Sequence, residues 1–475
     1  MQEHRHIYIN GQWVEPSGTD TVQVINPCSE EPIATVAMGN EMDVDRAVRA
    51  ARQAFPAWAS TPVSERAAII SKIARAMQAR QNELGDTISR EMGMPSAWSR
   101  MIQAGLPIAV LDSFVPILTN YEFEYSMNGT RIVKEPIGVC GFIAPWNYPM
   151  HQIIGKVAPA LAAGCTMVVK PSQLAPLNSY ILAEIIDEIG LPPGVFNLVV
   201  GAGSKVGHAL ASHRDVDMVS LTGSTRSGTL IAQAAAETIK RITLELGGKS
   251  PNIILEDADI TTAVLKGVYN SFLNSGQTCI ALSRMIVPRE KQKEIVDLAK
   301  ATVESLKMGD AFEDGVYLGP MVDDNQRQSV REYIRSGIRE GATLVTGGPE
   351  QPENMKKGYF VKPTVFADVR PDMTIAREEI FGPVLSIMPY DTEEEAIHIA
   401  NDTVYGLSGS VWSGDVERAR RVARQIRSGQ VFINGADFDI HAPAGGYKQS
   451  GIGRERSKYG LEEYLEIKAL IGYNR

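Results

Sequence analysis

Cysteine is scarce in this chain, with four in 475 residues: Cys28, Cys140, Cys165 and Cys279. No two form a CxxC pair, and the spacings suit neither a zinc site nor a disulfide framework. Reduced thiols in a cytoplasm are the expectation. The seven histidines are scattered and no HExxH occurs, so no metal site is expected. Long apolar runs are also lacking. None approaches the roughly 18 residues of a membrane span, so no membrane partner is expected. The stretch from Met1 to His6 is polar with no apolar core behind it, which argues against a secretory signal. A basic excess is missing as well. Lys and Arg number 47 against 56 Asp and Glu, a net charge of −9, with no dense basic run. A nucleic-acid partner is therefore not expected. What is present is ordinary for a globular protein of several domains, 44% hydrophobic and 22% charged.

The pattern along the chain is α/β. Asn10-Gly11, between the arms Ile7–Ile9 and Gln12–Val14, predicts a hairpin. Helical patterning follows over 43–58 and 64–91. A second Asn-Gly hairpin spans 121–134 around Asn128-Gly129, with strictly alternating arms. Alone it is marginal, so it must pack on something. From Gly138 to Leu246 short apolar runs (139–144, 166–170, 195–200, 219–222) alternate with helical segments (150–163, 178–189, 205–212, 227–236). That alternation predicts a parallel, doubly wound sheet with a ligand at the carboxyl ends of its strands. From Gly247 to about Ile433 the alternation starts again, predicting a second α/β domain. The tail 464–470 is an exposed strand whose edge needs covering. The hairpin at 121–134 is a partner for it, within or between subunits.

Three short runs stand out chemically. Cys279 ends Ser275-Gly276-Gln277-Thr278-Cys279, where glycine and glutamine are poor core material and mark a tight loop. A nucleophilic thiol there needs polar or electropositive surroundings; otherwise the cysteine is a small buried hydrophobe. Glu245 lies between Leu244 and Leu246, ahead of Gly247-Gly248-Lys249. Burial would raise its pKa into the range of a general base; an ion pair, perhaps with Lys249, is the alternative. Asn147 sits between Pro145 and Pro149. Its amide is either a turn residue or a fixed donor to an oxyanion.

In order and spacing, these runs resemble the signature motifs of the aldehyde dehydrogenase superfamily. Further matches are Lys170-Pro171-Ser172, Thr222-Gly223-Ser224-Thr225 with Gly228, Glu378-Glu379-Ile380-Phe381-Gly382-Pro383-Val384, and Gly445-Gly446-Tyr447-Lys448-Gln449-Ser450-Gly451-Ile452-Gly453-Arg454-Glu455. The resemblance implies an α/β fold with a Rossmann-like NAD-binding domain (1–118 and 138–246), a second α/β catalytic domain (247–443) and a small β oligomerisation flap (119–137 and 459–475). It implies Cys279 as nucleophile, Asn147 with the Cys279 N–H as oxyanion donors, and Glu245 as the base that hydrolyses a thioester. Lys170 would bind the adenosine ribose, while Gly223 and Ser224 would open a helix facing the pyrophosphate. Glu379 would hold the nicotinamide ribose beside Phe381. Ile143, Ala144, Pro145, Trp146, Ser172, Gln173, Gly203, Gly207, Gly228 and Leu246 would complete the cofactor site. The loop Gly201–Gly207 is GxGxxxG, one residue longer than the dinucleotide fingerprint; in this family it lies near the adenine end.

Departures from the family pattern concern specificity. Gln173 stands where many NAD-preferring members carry a glutamate that repels a 2′-phosphate, so NAD is expected with NADP left open. Ala444 replaces a common phenylalanine, and Gly155 holds a position often bulky in relatives. With Tyr148, His151, Thr278, Ile280 and Phe438 they predict a roomy, partly polar tunnel for medium or bulky aldehydes, aromatic or semialdehyde. The competing readings are a cofactor-independent thiol hydrolase, an acylating dehydrogenase that uses coenzyme A, and a non-enzymatic structural protein. Glu245 argues against the second, since acylating relatives typically lack it. A homodimer or homotetramer is expected from the family and from the hairpin and tail.

Overall fold

The computed structural model describes residues 2–473. Met1, Asn474 and Arg475, at the ends of the expected first domain and tail, lie outside the described residues. Asn10 (φ 54°) and Gly11 (φ 71°) are both left-handed, as a two-residue hairpin turn demands. Strands Ile7–Ile9 and Gln12–Val14 pair antiparallel across it.

That hairpin forms one edge of an eight-stranded sheet. From the far edge the order is Gly451–Ile452, Arg241–Glu245, Met218–Thr222, Val139–Ile143, Thr166–Lys170, Phe196–Leu198 and the hairpin. The five strands from Arg241–Glu245 to Phe196–Leu198 run parallel. Val139–Ile143, Thr166–Lys170 and Met218–Thr222 are buried at every residue. Their side chains alternate between two cores. Phe142, Met167 and Met218 join helices Val63–Ala79, Leu106–Asn120 and Pro149–Ala163. Val139, Val168 and Val219 join helices Glu41–Ala59 and Thr225–Ala236 on the other face. Two covered faces explain why these strands read as unbroken apolar runs. Each fully buried side chain of this size stabilises the fold by roughly 1.5–3 kcal/mol. The strand order reverses between Val139–Ile143 and Met218–Thr222, which creates the switch-point crevice where ligands bind.

The second sheet has seven strands: Thr343–Thr346, Thr364–Ala367, Val384–Tyr390, Arg284–Pro288, Pro251–Ile254, Ser408–Trp412 and Gln430–Ile433. All pairs are parallel except the first. Residues beyond 443 return to the first sheet. Gly451–Ile452 pairs antiparallel with Arg241–Glu245, and Ser450 Oγ donates to Gly247 O at 2.6 Å across 203 residues.

A three-stranded antiparallel sheet stands apart. Leu465–Leu470 pairs with Thr130–Pro136, which pairs with Glu124–Met127. The tail therefore covers the hairpin within one chain. Its outer face stays open, with Ile467 71% and Met127 53% exposed.

One helical run was not foreseen. Ser96–Asn120 is continuous, with a π-helical stretch at Ser99–Gly105. It is long and apolar enough to cross a membrane by length and composition, with half of it buried inside the protein. Arg100, Pro107, Asp112 and Pro116 interrupt its apolar sequence. It packs against Val63–Ala79 and Pro149–Ala163 as a core helix.

Candidate active site

The loop that carries Cys279 is bolted down by side chains. After helix Ile260–Phe272 the chain turns through Asn274 (φ 54°), Ser275 (φ 54°) and Gly276 (φ 73°). Left-handed Asn and Ser cost on the order of 1 kcal/mol each, and fixed contacts offset this. A Cβ on Gly276 would lie 2.1 Å from Gly382 O, so only glycine allows this approach. Buried Gln277 donates from Nε2 to Asn274 O (3.1 Å) and Pro320 O (3.3 Å) and accepts from Val322 N (2.9 Å). Ser275 Oγ donates to Gly319 O at 2.8 Å. Cys279 follows, half-buried, on the wall of a cavity of about 560 Å³.

Asn147 approaches from the other sheet, between strand Val139–Ile143 and helix Pro149–Ala163. Its main-chain oxygen accepts from Gln103 Nε2 (2.8 Å) and Asn274 Nδ2 (3.1 Å). Its own Nδ2 donates to Gln277 O at 3.1 Å, which leaves a second amide hydrogen for another acceptor. Asn147 is thus tied to the cysteine loop at both ends.

Glu245 is the last residue of strand Arg241–Glu245 and lines the same cavity. Burial, then the neighbouring Glu455 carboxylate, push its pKa up to about 8, against the pull of Lys156, Arg456 and Arg454. The alternative pairing with Lys249 is absent, since Lys249 Nζ has no hydrogen-bond partner. Instead fully buried Lys156 donates to Glu455 Oε1 and Thr222 Oγ1, both at 2.6 Å. Gly155 does not line the cavity, contrary to expectation. A Cβ there would point at Glu455 Oε2, 3.2 Å away, so the missing side chain makes room for the Lys156–Glu455 pair.

Of the two settings that a nucleophilic thiol was expected to need, polar or electropositive, Cys279 has the first. Its surroundings are not electropositive: burial, then the carboxylates of Glu379 and Glu245, push the thiol pKa up to about 12. The N–H groups of Cys279 and Ile280 only partly offset this. At neutral pH the group is a thiol that needs a base.

Residues of the expected cofactor site gather at the switch point. Ser224 caps helix Thr225–Ala236 by accepting from Ser227 N, and Gly223 precedes it. The free N–H groups of a helix of this length suit a phosphate. Gly228 lets Leu246 close in, since a Cβ would meet it at 2.7 Å. Ile143, Ala144, Pro145 and Trp146 lead out of the neighbouring strand. Trp146 meets Phe381 edge-on, with ring centroids 5.5 Å apart, and Phe381 is held in a left-handed conformation (φ 55°). Glu379 accepts from Gly248 N at 2.9 Å, and burial pushes its pKa up to about 7. Lys170 Nζ donates to Pro171 O and Gly201 O (2.6 and 3.0 Å), and burial brings its pKa down to about 8. Ser172 and Gln173 follow it; Ser172 Oγ accepts from Leu174 N. A Cβ on Gly207 would lie 3.6 Å from the Lys170 stem, and one on Gly203 would meet open space. A helix N-terminus, an apolar slot and two polar ends in one crevice fit a dinucleotide.

Tyr148, His151, Thr278, Ile280 and Phe438 line the cavity around Cys279, as does Ala444. Tyr148 Oη and Thr278 Oγ1 are 2.8 Å apart, and Thr278 Oγ1 donates to Leu273 O at 3.1 Å. His151 is held neutral, its pKa brought down to about 3 by burial and by the charges of Arg456 and Lys156.

The sequence profile described as the aldehyde dehydrogenase family matches residues 13–470. The chain belongs to the aldehyde dehydrogenase family. It is an aldehyde dehydrogenase whose fold class and NAD(P) chemistry agree with the resemblance. A 3-succinoylsemialdehyde-pyridine dehydrogenase of a Pseudomonas species is 52% identical over 100% of this chain and 99% of its own length. Aldehyde dehydrogenase C of Pseudomonas syringae, solved as a cysteine-to-alanine variant with NAD+ and octanal, superposes with a TM-score of 0.98. It is 49% identical and covers 99% of this chain and 97% of its own. An aldehyde dehydrogenase of Mycobacterium tuberculosis solved with NAD+ gives 0.97 at 42% identity, covering 99% and 98%.

The sequence reading missed Gln103, Asn274, Lys156 and Arg456 as parts of this site. A lysine within the apolar stretch 153–163 was the one available signal. The others depend on tertiary contacts alone.

Proposed function

We propose that Cys279 is the nucleophile, Asn147 and the Cys279 N–H the oxyanion donors, and Glu245 the base of a hydrolytic aldehyde dehydrogenase. The carrying observation is that Cys279 and Glu245 face one cavity while Asn147 is hydrogen-bonded to the cysteine loop. Cys279 gives its proton to a water in the cavity, and Sγ adds to the aldehyde carbon. Asn147 holds the resulting alkoxide of the thiohemiacetal. Bound NAD(P)+ supplies the hydride acceptor for the oxidation. The acyl group then sits on Cys279 as a thioester. Glu245 takes a proton from water, the hydroxide adds to the thioester, and the acid leaves as the thiol is restored. A base poised near pH 8 suits this second step and favours hydrolysis over transfer to coenzyme A.

For the cofactor, Lys170, Ser172 and Gln173 would meet the adenosine ribose, with Gly203 and Gly207 near the adenine. Gly223, Ser224 and Gly228 would meet the pyrophosphate. Glu379 would hold the nicotinamide ribose, while Trp146, Leu246 and Phe381 would line the ring. NAD is the expected cofactor; Gln173 lacks the charge that would exclude NADP. The first sheet is read as the cofactor domain (1–118 and 138–246), 247–443 as the catalytic domain, and the three-stranded sheet as an oligomerisation flap. Its exposed apolar face is suited to a dimer or tetramer, which light scattering tests; a monomer would refute it. Four free thiols fit a cytoplasmic setting.

The cavity favours medium or bulky aldehydes, aromatic or semialdehyde. The named chemistry of the Pseudomonas relative and the octanal bound to the P. syringae enzyme support that class. The test is kcat/KM over an aldehyde panel with NAD or NADP, read as reduced nicotinamide. Turnover of octanal and aromatic aldehydes above acetaldehyde is expected. A clear preference for acetaldehyde would sink the substrate class, and signal only with added coenzyme A would sink the hydrolytic reading.

A further inference from the structure

Arg456 is the anomaly of the cavity. Its residue is only 8% exposed, yet among the described residues it forms no ion pair within salt-bridge distance. A buried guanidinium without a carboxylate partner is costly. Its backbone is strained too, at φ 65° ahead of helix Ser457–Glu462. The guanidinium lies over the Phe438 ring, 4.5 Å from the centroid, and Nη1 makes one long bond to Asp439 O at 3.4 Å. Arg456 lines the cavity with Cys279 and Glu245 and is within electrostatic reach of both. Of its five N–H donors, most have no acceptor among the described residues.

The acidic groups that act on its charge, Glu455, Glu245 and Asp439, all stand beyond salt-bridge distance among the described residues. Glu455 is spent on Lys156. Glu245 is a neutral acid over most of the range below pH 8. His151 is neutral, and its buried Nδ1 has no partner. The remaining wall is largely apolar, with residues such as Ile102, Leu273 and Phe432. Strain and an unpaired buried cation persist where function holds them.

We infer that Arg456 is a specificity-determining residue that hydrogen-bonds a second oxygen acceptor, carboxylate or oxo, carried on the aldehyde chain away from the reacting carbonyl. Phe438 holds the planar fork in place by cation–π stacking. This rests on the reading of Cys279 as nucleophile of the same cavity. It adds a second anchor point, which fixes the aldehyde chain before attack.

The test uses three aldehydes of one shape: 4-oxobutanoate, 4-oxopentanal and 4-methylpentanal, with their one- and two-carbon homologues. In the wild-type enzyme the carboxylate or the oxo series should exceed the hydrocarbon series in kcat/KM by on the order of tenfold to a hundredfold, the strength of a charge-assisted hydrogen bond. Preference for the carboxylates alone identifies an anion as the ligand, and preference for the oxo compounds a neutral carbonyl. Arg456→Met should erase the preference, mainly by raising KM for the favoured series. Arg456→Lys should restore part of it for the carboxylates. Succinate or levulinate should also compete with the aldehyde in the wild-type enzyme and lose that competition in Arg456→Met. Hydrocarbon aldehydes preferred throughout, or an equal loss for all three series in Arg456→Met, would overturn the inference while leaving Cys279 as the nucleophile. Oxidation of no aldehyde would overturn both readings together.

Discussion

The two walls around Cys279 are built differently. On the side of Asn147, Gln277 and Glu379, polar side chains are tied to main-chain atoms or to one another. On the side of His151 and Arg456, polar groups reach the cavity with little or no protein partner. Fixed dipoles stabilise a charge that develops in the same place in every turnover, so rigidity helps there. Unpartnered groups await a partner that arrives with the substrate. On the roles proposed above, the first wall serves the reaction and the second the choice of aldehyde.

Breaking the first wall should cost most. Cys279→Ala should remove aldehyde oxidation by on the order of 10⁴-fold or more, read as reduced nicotinamide; retained turnover would mean that the thiol is not the nucleophile. Glu245→Gln should slow steady turnover by about 10²-fold or more while keeping a first burst of reduced nicotinamide, because the amide cannot accept the proton from water. The pH profile carries the same information. Only the carboxylate form accepts a proton, so wild-type turnover should rise as pH rises through about 8, and Glu245→Gln should flatten that limb. A burst-free variant would place Glu245 before the thioester.

Sharpening the second wall should cost less and depend on the aldehyde. Ala444→Phe should narrow the cavity and lower kcat/KM for octanal by about tenfold relative to acetaldehyde; a parallel change in both would remove Ala444 from the entrance. The smallest effect is expected at the cofactor. Gln173→Glu should lower the NADP-to-NAD ratio of kcat/KM by about fivefold, or roughly 1 kcal/mol of like-charge repulsion in a partly solvated site. An unchanged ratio would place the 2′-oxygen elsewhere.

Much of the first wall was legible in the sequence because its residues lie in short contiguous runs. Glycine and glutamine before Cys279 foretold the tight loop, and the strand alternation foretold the switch point that gathers Trp146 and Gly223. The supports of that wall were not legible. Gln103 meets Asn147 across 44 residues and Asn274 meets it across 127, and no local periodicity encodes such contacts. The helix at Ser96–Asn120 was hidden by two prolines and a π-helical stretch. The charge around Cys279 was not legible for the same reason. After burial, the groups that raise the Cys279 pKa are Glu379, in a loop, and Glu245, at a strand end, both far from it in sequence. Gly155 was assigned to the tunnel because relatives often carry a bulky residue there, but the helix turns it toward Glu455.

The edge strand Gly451–Ile452 has a consequence in time. It closes the first sheet beside Glu245, and Ser450 is tied to Gly247 across 203 residues. Contacts of such separation form late and slowly, because the intervening loop must be closed first. During synthesis, the thiol and its loop emerge long before Glu455, Arg456 and the strand that surrounds the base. A half-made chain thus carries Asn147, Glu245 and Cys279 without the strand and side chains that enclose them, and the cavity is completed only when the last segment docks.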